Sequence, residues 1–269
     1  MINVTNYAAV SAQHESNTVG SKYAFIPTTQ VIDVLGREGW VPSKVSEART
    51  LKAARKGFQK HMIRFRQAHS PAVALAVGGL VPEIVLTNAH DGCASFQLMA
   101  GIFRLVCSNG LVVAVSMFAT HKIKHIGFTE GKVLSALQDV TESTPRVMSR
   151  VEEFQGVRLD EKERMAYAEA ALLVRADGVE AALPEGKIKD AALVRLLAPR
   201  RDDDAAPTLW NVFNTVQEKF LKGGRFMPLR PASWRAGKTR EVKSVDKNIA
   251  LNKALWALTE KMAELKGVA

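Results

Sequence analysis

The stretch from Pro82 to Val113 constrains the fold more than any other part of the chain. It reads PEIVLTNAHDGCASFQLMAGIFRLVCSNGLVV, in which three apolar runs are separated by turn-forming residues. The second turn signal is Asn109-Gly110. This dipeptide favours a two-residue hairpin because both central residues of a type I′ turn need a positive φ. We therefore predict three consecutive, mostly antiparallel strands in this stretch.

Strand patterns fill the first half of the chain, and helical patterns fill the second. After Lys132 the apolar residues recur at spacings of three and four, as in amphipathic helices. Because the strands come first and no regular βαβ alternation appears, we predict an α+β fold rather than a parallel sheet. The predicted sheet is an antiparallel meander in the N-terminal half, backed by helices from the C-terminal half. Its strands span about residues 61–69, 82–89, 95–106 and 111–125.

The patterns also indicate a domain organisation. Residues 1–27 are polar with little periodicity, so we expect a loosely ordered N-terminal arm. We expect residues 28–269 to form a single α+β domain with a basic loop at 219–243. Thr28 precedes a short amphipathic pattern and is a candidate N-cap. The segment from Val45 to about Lys60 is expected to be helical or an irregular arm.

The residues Phe96-Gln97-Leu98 and the run GIFRLVCSNGL from Gly101 to Leu111 carry a resemblance to a known family. They resemble the signature of the phage/plasmid-like proteins of unknown function of the YfjQ type. The similarity extends from about Thr28 to about Leu265. It implies a setting in phages, plasmids and other mobile elements, and a remote relationship to the single-strand annealing recombinases. The family supplies no catalytic residues that could be transferred to this chain.

Positive charge is concentrated in two stretches of the chain. The formal net charge is +10, and the pI is about 9.7. The stretch from Ala48 to Ala68 carries +7, and the stretch from Lys219 to Lys243 also carries +7, which leaves −4 for the remainder. Localised positive charge is what binding along a phosphate backbone requires. We therefore predict a nucleic acid as the partner.

The pattern within the basic stretches identifies candidate contact residues. Alternation places Arg64 and Arg66 on one face of a strand, opposite Ile63 and Phe65. The second stretch mixes arginines with aromatic residues, on which single-strand-binding proteins stack bases. The predicted phosphate contacts are Arg64, Arg66, Lys122, Lys124, Arg225, Arg230, Arg235, Lys238 and Arg240, and Trp234 or Phe226 would stack on bases.

These features favour a non-enzymatic protein that prefers single-stranded DNA and promotes strand annealing or recombination. Copies of the chain would align along the strand as a homo-oligomer through an exposed sheet edge. One alternative is a hydrolase or nuclease built around His90, Asp91 and the Asn109 loop. Another is an interaction module that binds an acidic protein. Common nucleotide-binding and hydrolase motifs are absent from the sequence, and no acid, base and nucleophile can be seen to converge.

Metal and cofactor sites find little support in the spacing of potential ligands. The pairs His90/Cys93 and His121/His125 have spacings that occur in zinc sites. However, residues four apart on a strand are separated by roughly 13 Å and cannot share one ion. We expect no metal and no cofactor. With no signal peptide and no apolar run near 20 residues, we expect a cytoplasmic protein without a membrane partner, in which Cys93 and Cys107 stay reduced.

Overall fold

The computed structural model describes residues 2–68, 79–104, 110–112, 120–123, 125, 129–176, 186–224 and 239–268. The chain divides into two compact units, which are Met1–Pro145 and Arg146–Ala269. Among the described residues no helix is both long enough and apolar enough to cross a lipid bilayer.

The first unit is built on a six-stranded antiparallel sheet, and the predicted α+β fold with an antiparallel sheet is confirmed. The strand order is β1-β2-β3-β4-β5. Strand β6 also pairs with β4, on the same edge as β5: β5 pairs with the C-terminal part of β4, and β6 pairs with its N-terminal part. The strands are β1 (Trp40–Glu47), β2 (His61–Gln67), β3 (Leu80–Asn88), β4 (Phe96–Arg104), β5 (Gly110–Val112) and β6 (Thr120–Ile123). The predicted Asn109 turn falls just before β5, and residues 105–109 lie outside the described part of the chain.

Residues 48–60 are irregular apart from a short 3-10 helix (Ala53–Arg55), in line with the expected helix or irregular arm. Strand β1, however, includes residues 45–47 of that segment and departs from the prediction. It pairs antiparallel with β2, and its register shifts between Pro42 and Lys44. Proline has no N–H to donate, so a strand that contains it belongs at a sheet edge or a bulge. The irregularity at Pro42 also breaks the alternation by which a strand is normally detected in a sequence.

The core of the first unit lies on one face of this sheet. Ile63 and Phe65 of β2 are fully buried, as predicted from the alternation. Helix α1 (Thr28–Arg37) and the first turns of helix α2 (Glu130–Gly156) pack on the same face through Val31, Leu35, Val133 and Val140. Val10 and Ile26 are buried in this core, so the segment expected to be a loosely ordered arm contributes two core side chains.

The second unit is helical. It contains the end of α2, α3 (Glu161–Arg175), α4 (Gly186–Leu197), α5 (Leu209–Lys222) and α6 (Val245–Leu265). Asp160 and Glu163 form a capping box at the start of α3, and Thr208 and Ser244 cap α5 and α6. The rings of Phe154, Tyr167, Phe213, Phe220 and Trp256 fill its core.

Candidate functional site

The connection between β1 and β2, residues 48–60, is strongly basic. We name this segment the basic loop, as distinct from the loop predicted at 219–243. The basic loop contains Arg49, Lys52, Arg55, Lys56 and Lys60 and no acidic residue. The side chains of Arg49, Lys52 and Lys56 are exposed. Within the described part of the chain, no carboxylate forms an ion pair with any of these three. Their charge is therefore presented to solvent, where a polyanion can approach it.

Three contacts fix the basic loop on the body of the first unit, and a fourth closes the loop on itself. At its base the Ala48 N–H donates to the Lys60 carbonyl at 2.7 Å. The Ser16 hydroxyl donates to the Ala54 carbonyl at 2.9 Å, and the His90 N–H donates to the Phe58 carbonyl at 2.8 Å. The Arg55 guanidinium lies 3.9 Å from the Asp91 carboxylate. The loop is thus attached directly to the turn that follows β3.

The two strand arginines share a face, as predicted, but that face is covered. The Glu83 carboxylate is fully buried and lies 2.6 Å from Nη1 of Arg64 and 2.8 Å from Nε of Arg66. The side chain of Arg64 is only 3% exposed, whereas that of Arg66 is 29% exposed. A buried guanidinium needs a counter-charge, and Glu83 supplies it. Arg64 is therefore inaccessible to phosphate, which corrects its assignment as a contact, and Arg66 keeps partial access.

Most of the other predicted contacts lie outside what the structure describes. Lys122 falls on β6 opposite Gln97, and its side chain is not described. Arg240 is exposed. The remaining residues, Lys124, Arg225, Phe226, Arg230, Trp234, Arg235 and Lys238, lie outside the described residues. Their assignment to a nucleic-acid interface stays a prediction.

The structure describes the residues that flank 225–238 on both sides. Gly224 and Thr239 form an antiparallel bridge, with N–H to carbonyl distances of 3.2 and 2.9 Å. The Thr239 hydroxyl also donates to the Gly224 carbonyl at 3.0 Å. Gly223 has a φ of +74°, and a Cβ placed there would lie 2.2 Å from the Thr239 carbonyl oxygen. The base of this segment therefore requires glycine at position 223.

Two lysines that contribute to the second basic stretch have structural roles. The Lys219 ammonium donates to the carbonyls of Arg195, Leu196 and Ala198 at the end of α4. Burial lowers its pKa to about 8, and the charge of Arg200 acts in the same direction. Lys222 lies 3.1 Å from the Glu218 carboxylate, which also binds Arg201. Part of the charge counted in this stretch is thus used within the second unit.

A buried polar cluster joins α1 to the ends of β2 and β3. Thr28 Oγ1 lies 2.8 Å from Nε2 of His61 and 3.1 Å from Nε2 of His90, and Nδ2 of Asn88 donates to it at 3.1 Å. Nδ1 of His61 lies 3.1 Å from the Gln59 carbonyl, which can only accept. Nδ1 of His61 therefore carries the proton, and Nε2 accepts from the Thr28 hydroxyl. Thr28 Oγ1 in turn accepts from His90 and Asn88.

These four side chains do not form a reactive centre. All four are completely buried. Burial lowers the pKa of His61 to about 4 and that of His90 to about 3, and in His90 the nearby His61 and His125 act in the same direction. Both imidazoles are neutral at physiological pH and engaged in hydrogen bonds. The sequence signal for this cluster is weak, because Thr28 lies 33 and 62 residues from its partners and had the pattern of an N-cap.

The residues of the hydrolase alternative are likewise engaged in structure. Asp91 accepts a hydrogen bond from the Cys93 N–H at 3.0 Å and faces Arg55. Partial burial and the Asp91 charge raise the pKa of the exposed Cys93 thiol, so it is not activated as a thiolate. Asn109 lies outside the described residues. Among the residues described, no group of three or more His, Cys, Asp or Glu side chains is placed to hold a metal ion.

Comparison with known proteins shows that most of the chain belongs to one family of sequences. The family model for the domain of unknown function (DUF932) matches residues 15–256. The chain is 34% identical over 248 residues to UPF0380 protein YafZ and equally to UPF0380 protein YfjQ, both from Escherichia coli strain K12. Each alignment covers 92% of this chain and 84% of the relative. No solved structure matches. The predicted YfjQ-type resemblance is confirmed, and the link to annealing recombinases stays a prediction.

Proposed function

The chain belongs to the family of the domain of unknown function DUF932, and we propose that it is a non-enzymatic nucleic-acid-binding protein of a mobile element. The preferred ligand is single-stranded DNA, and the proposed outcome of binding is strand annealing. The observation that carries this proposal is the basic loop, in which Arg49, Lys52 and Lys56 are exposed on a segment that contains no acidic residue.

The geometry of the loop supports phosphate binding rather than a structural use of these charges. Cations that stabilise a fold are paired with carboxylates or carbonyls, as Arg64 and Lys219 are. Arg49, Lys52 and Lys56 form no ion pair within the described residues, yet the loop that carries them is anchored by Ser16, His90 and Asp91. A fixed loop keeps like charges close together at an electrostatic cost, which an approaching phosphate backbone relieves.

The preference for single strands rests on aromatic side chains near the positive charge. Phe58 of the basic loop is half-buried and packs on the exposed ring of His14 at 5.3 Å. In the second basic stretch, Phe226 and Trp234 are interleaved with arginines in the sequence. Bases of a single strand are free to stack on such rings, whereas bases of a duplex are already stacked on each other.

Alignment of several copies along a strand is the second part of the proposal. In the sheet, β1 is hydrogen-bonded to β2 on one side and ends the strand order. An edge strand has main-chain groups that can pair with a strand of another copy. Copies brought together on DNA in this way would hold two complementary strands close to each other, as annealing requires.

The decisive measurement is fluorescence anisotropy with labelled single- and double-stranded oligonucleotides across a salt series. For wild type we expect tighter binding to single strands, with a log–log slope of roughly −0.7 for each phosphate neutralised. Replacing Arg49, Lys52 and Lys56 by Gln removes up to three phosphate contacts. The slope should therefore become shallower by about 2 and affinity should fall for all sequences alike.

A matched control variant distinguishes binding at the basic loop from an effect of the total charge of the protein. Replacing Arg158, Lys162 and Lys247 by Gln also removes one arginine and two lysines, all of them exposed. This variant should keep a slope close to that of wild type. Equal effects of the two triple variants, or no salt-dependent binding by wild type, would refute the proposal. Incubating the same oligonucleotides with magnesium, manganese or zinc tests the nuclease alternative, for which cleavage is the positive result.

A further inference from the structure

We infer that a pocket beside the basic loop receives one unpaired nucleobase of the bound single strand. The pocket has a volume of about 390 Å³ and is open to solvent. It is lined by Gly20, Lys22, Tyr23, Gly92, Ala94, Ser95 and His125. This volume lies within the range of small-ligand sites in proteins, which is roughly 300–1,000 Å³. The inference rests on the proposed function and specifies where base contacts are made.

The pocket contains a rigid aromatic wall. The rings of Tyr23 and His125 are stacked, with centroids 4.5 Å apart and planes inclined by 21°. The Tyr23 hydroxyl donates to the Ala89 carbonyl at 3.0 Å, and Nδ1 of His125 lies 3.3 Å from the Ala24 carbonyl. Burial raises the pKa of Tyr23, and Glu15 and Asp91 raise it further, so the hydroxyl remains a donor. Rings held in place in this way stack on a base with little loss of entropy.

The rest of the lining suits a flat ligand. Gly20 and Gly92 leave two sides of the pocket without side chains. Gly92 has a φ of +74°, and a Cβ there would lie 3.2 Å from Val19, so a larger residue at this position is strained. The Ser95 hydroxyl provides a polar group next to the apolar surface. Such a site holds a planar ring by its faces and has a polar group within reach of its edge.

Charges around the pocket favour a base over a phosphate inside it. The charges of Glu15 and Asp91 both contribute to the raised pKa of Tyr23. The same negative charges disfavour an anion next to the Tyr23 ring. Cations that can bind phosphates lie at the exposed rim of the pocket and on the basic loop instead. Lys22 is exposed at the lining, and Arg55 of the basic loop pairs with Asp91, the residue before Gly92. The anchoring contact of the loop thus places the phosphate-binding segment directly beside the pocket.

The test compares a labelled oligothymidylate with an abasic oligomer of the same length, which has the same phosphates but no bases. Wild type should bind the oligothymidylate roughly tenfold more tightly. In the Gly20→Leu variant this ratio should fall clearly below that of wild type, to what stacking on the aromatic residues of the two basic stretches supplies. A Cβ at position 20 has no atom within 4 Å, so a longer side chain there has room to enter the pocket. The Gly131→Leu variant is the control, since its Cβ is also unobstructed and the residue is exposed on α2.

A ring variant checks the wall itself. Tyr23→Phe should retain most of the preference for bases because it keeps the ring, whereas Tyr23→Leu should reduce the preference to the level of Gly20→Leu. A wild-type protein that binds both oligomers equally overturns the base pocket and leaves charge-driven binding intact. A preference for bases in Gly20→Leu that equals that of wild type also overturns it, since all the bases would then be bound elsewhere. Absence of salt-dependent binding to either oligomer refutes both the pocket and the proposed function.

Discussion

At the scale of single residues, the first unit is organised by polar groups buried without access to water. The Thr28 hydroxyl is shared by His61, His90 and Asn88, and it joins α1 to two strands. The hydroxyl donates its proton to His61 and accepts hydrogen bonds from His90 and Asn88, so all its hydrogen-bonding positions are used. Loss of one hydrogen bond leaves a buried polar group unsatisfied, which costs about 1–3 kcal/mol.

This arrangement predicts that stability falls on mild acidification. The folded protein keeps His61 and His90 neutral because their pKa values are lowered to about 4 and about 3, whereas the unfolded chain takes up protons near pH 6.5. Stability is therefore complete above pH 6.5 and declines as the pH falls towards 4. As the pH falls from 6.5 to 5, the slope of the free energy of unfolding should steepen from roughly 0.7 towards roughly 1.4 kcal/mol per pH unit for each histidine.

Denaturant titrations at several pH values measure this slope. His61→Gln should reduce the pH dependence in this window, while His14→Gln, at an exposed position, should leave it unchanged. A stability that is constant between pH 6.5 and 5 would show that these imidazoles are not held neutral by the fold.

The buried ion triad predicts a large effect of a small substitution. Glu83→Gln removes the counter-charge of Arg64 and Arg66 while keeping the size of the side chain. Because Arg64 remains buried and charged, the free energy of unfolding should decrease by roughly 3 kcal/mol or more. The exposed Glu38→Gln variant should change it by less than about 0.5 kcal/mol. Similar denaturation midpoints for the two variants would contradict the triad.

At the scale of elements, the connections matter as much as the helices and strands. The basic loop joins β1 to β2 at the sheet edge, and its anchors come from two other parts of the first unit, the N-terminal segment at Ser16 and the turn at His90 and Asp91. In the second unit, α5 ends at Lys222 with Gly223 as its C-cap, and the Gly224–Thr239 bridge closes the base of residues 225–238. Both basic segments therefore start and end at fixed points of the fold.

The Gly223→Ala variant tests the closure formed by the Gly224–Thr239 bridge at the two ends of residues 225–238. The new Cβ would meet the Thr239 carbonyl oxygen at 2.2 Å, so the bridge must separate. We expect the amides of Gly224 and Thr239 to lose protection from hydrogen exchange. Gly39→Ala is the matched control, because Gly39 has a φ of +81° but no atom lies within 4 Å of its added Cβ. It should cost only about 1 kcal/mol of backbone strain. Equal protection in both variants would disprove the steric argument.

At the scale of the whole molecule, the described cations include two groups, those paired within the fold and those exposed on the basic loop. Some cations are used internally, as in the Arg64–Glu83–Arg66 triad and the cluster in which Arg201 and Lys222 bind Glu218. Burial alone would raise the pKa of Glu218, but its bonds to Arg201 and Lys222 prevail and lower it to about 2. Among the described residues, the exposed cations Arg49, Lys52 and Lys56 of the basic loop form no ion pair, and the proposed binding function depends on them.

The sequence by itself determined the type of fold and the order of most strands. The runs in residues 61–69 and 82–106 predicted β2, β3 and β4, because side chains alternate across a strand and Asn-Gly and Gly-rich segments favour turns. It also predicted that Ile63 and Phe65 face the core. Strand β1 was missed, since Pro42 and the bulge beside it remove the pattern that local reasoning uses.

Only the tertiary structure decided what individual polar residues do. In the sequence Arg64 and Arg66 are equivalent, yet Arg64 is buried and neutralised by Glu83, which lies 19 residues away in the chain. Thr28 had the pattern of a helix cap but serves a histidine cluster, and the pocket brings together residues 20–23, 92–95 and 125. Local sequence reports periodicity and turn propensity. It does not report which distant side chains are buried together. Those contacts determine whether a charged side chain is neutralised, which hydrogen bonds it forms and whether solvent can reach it.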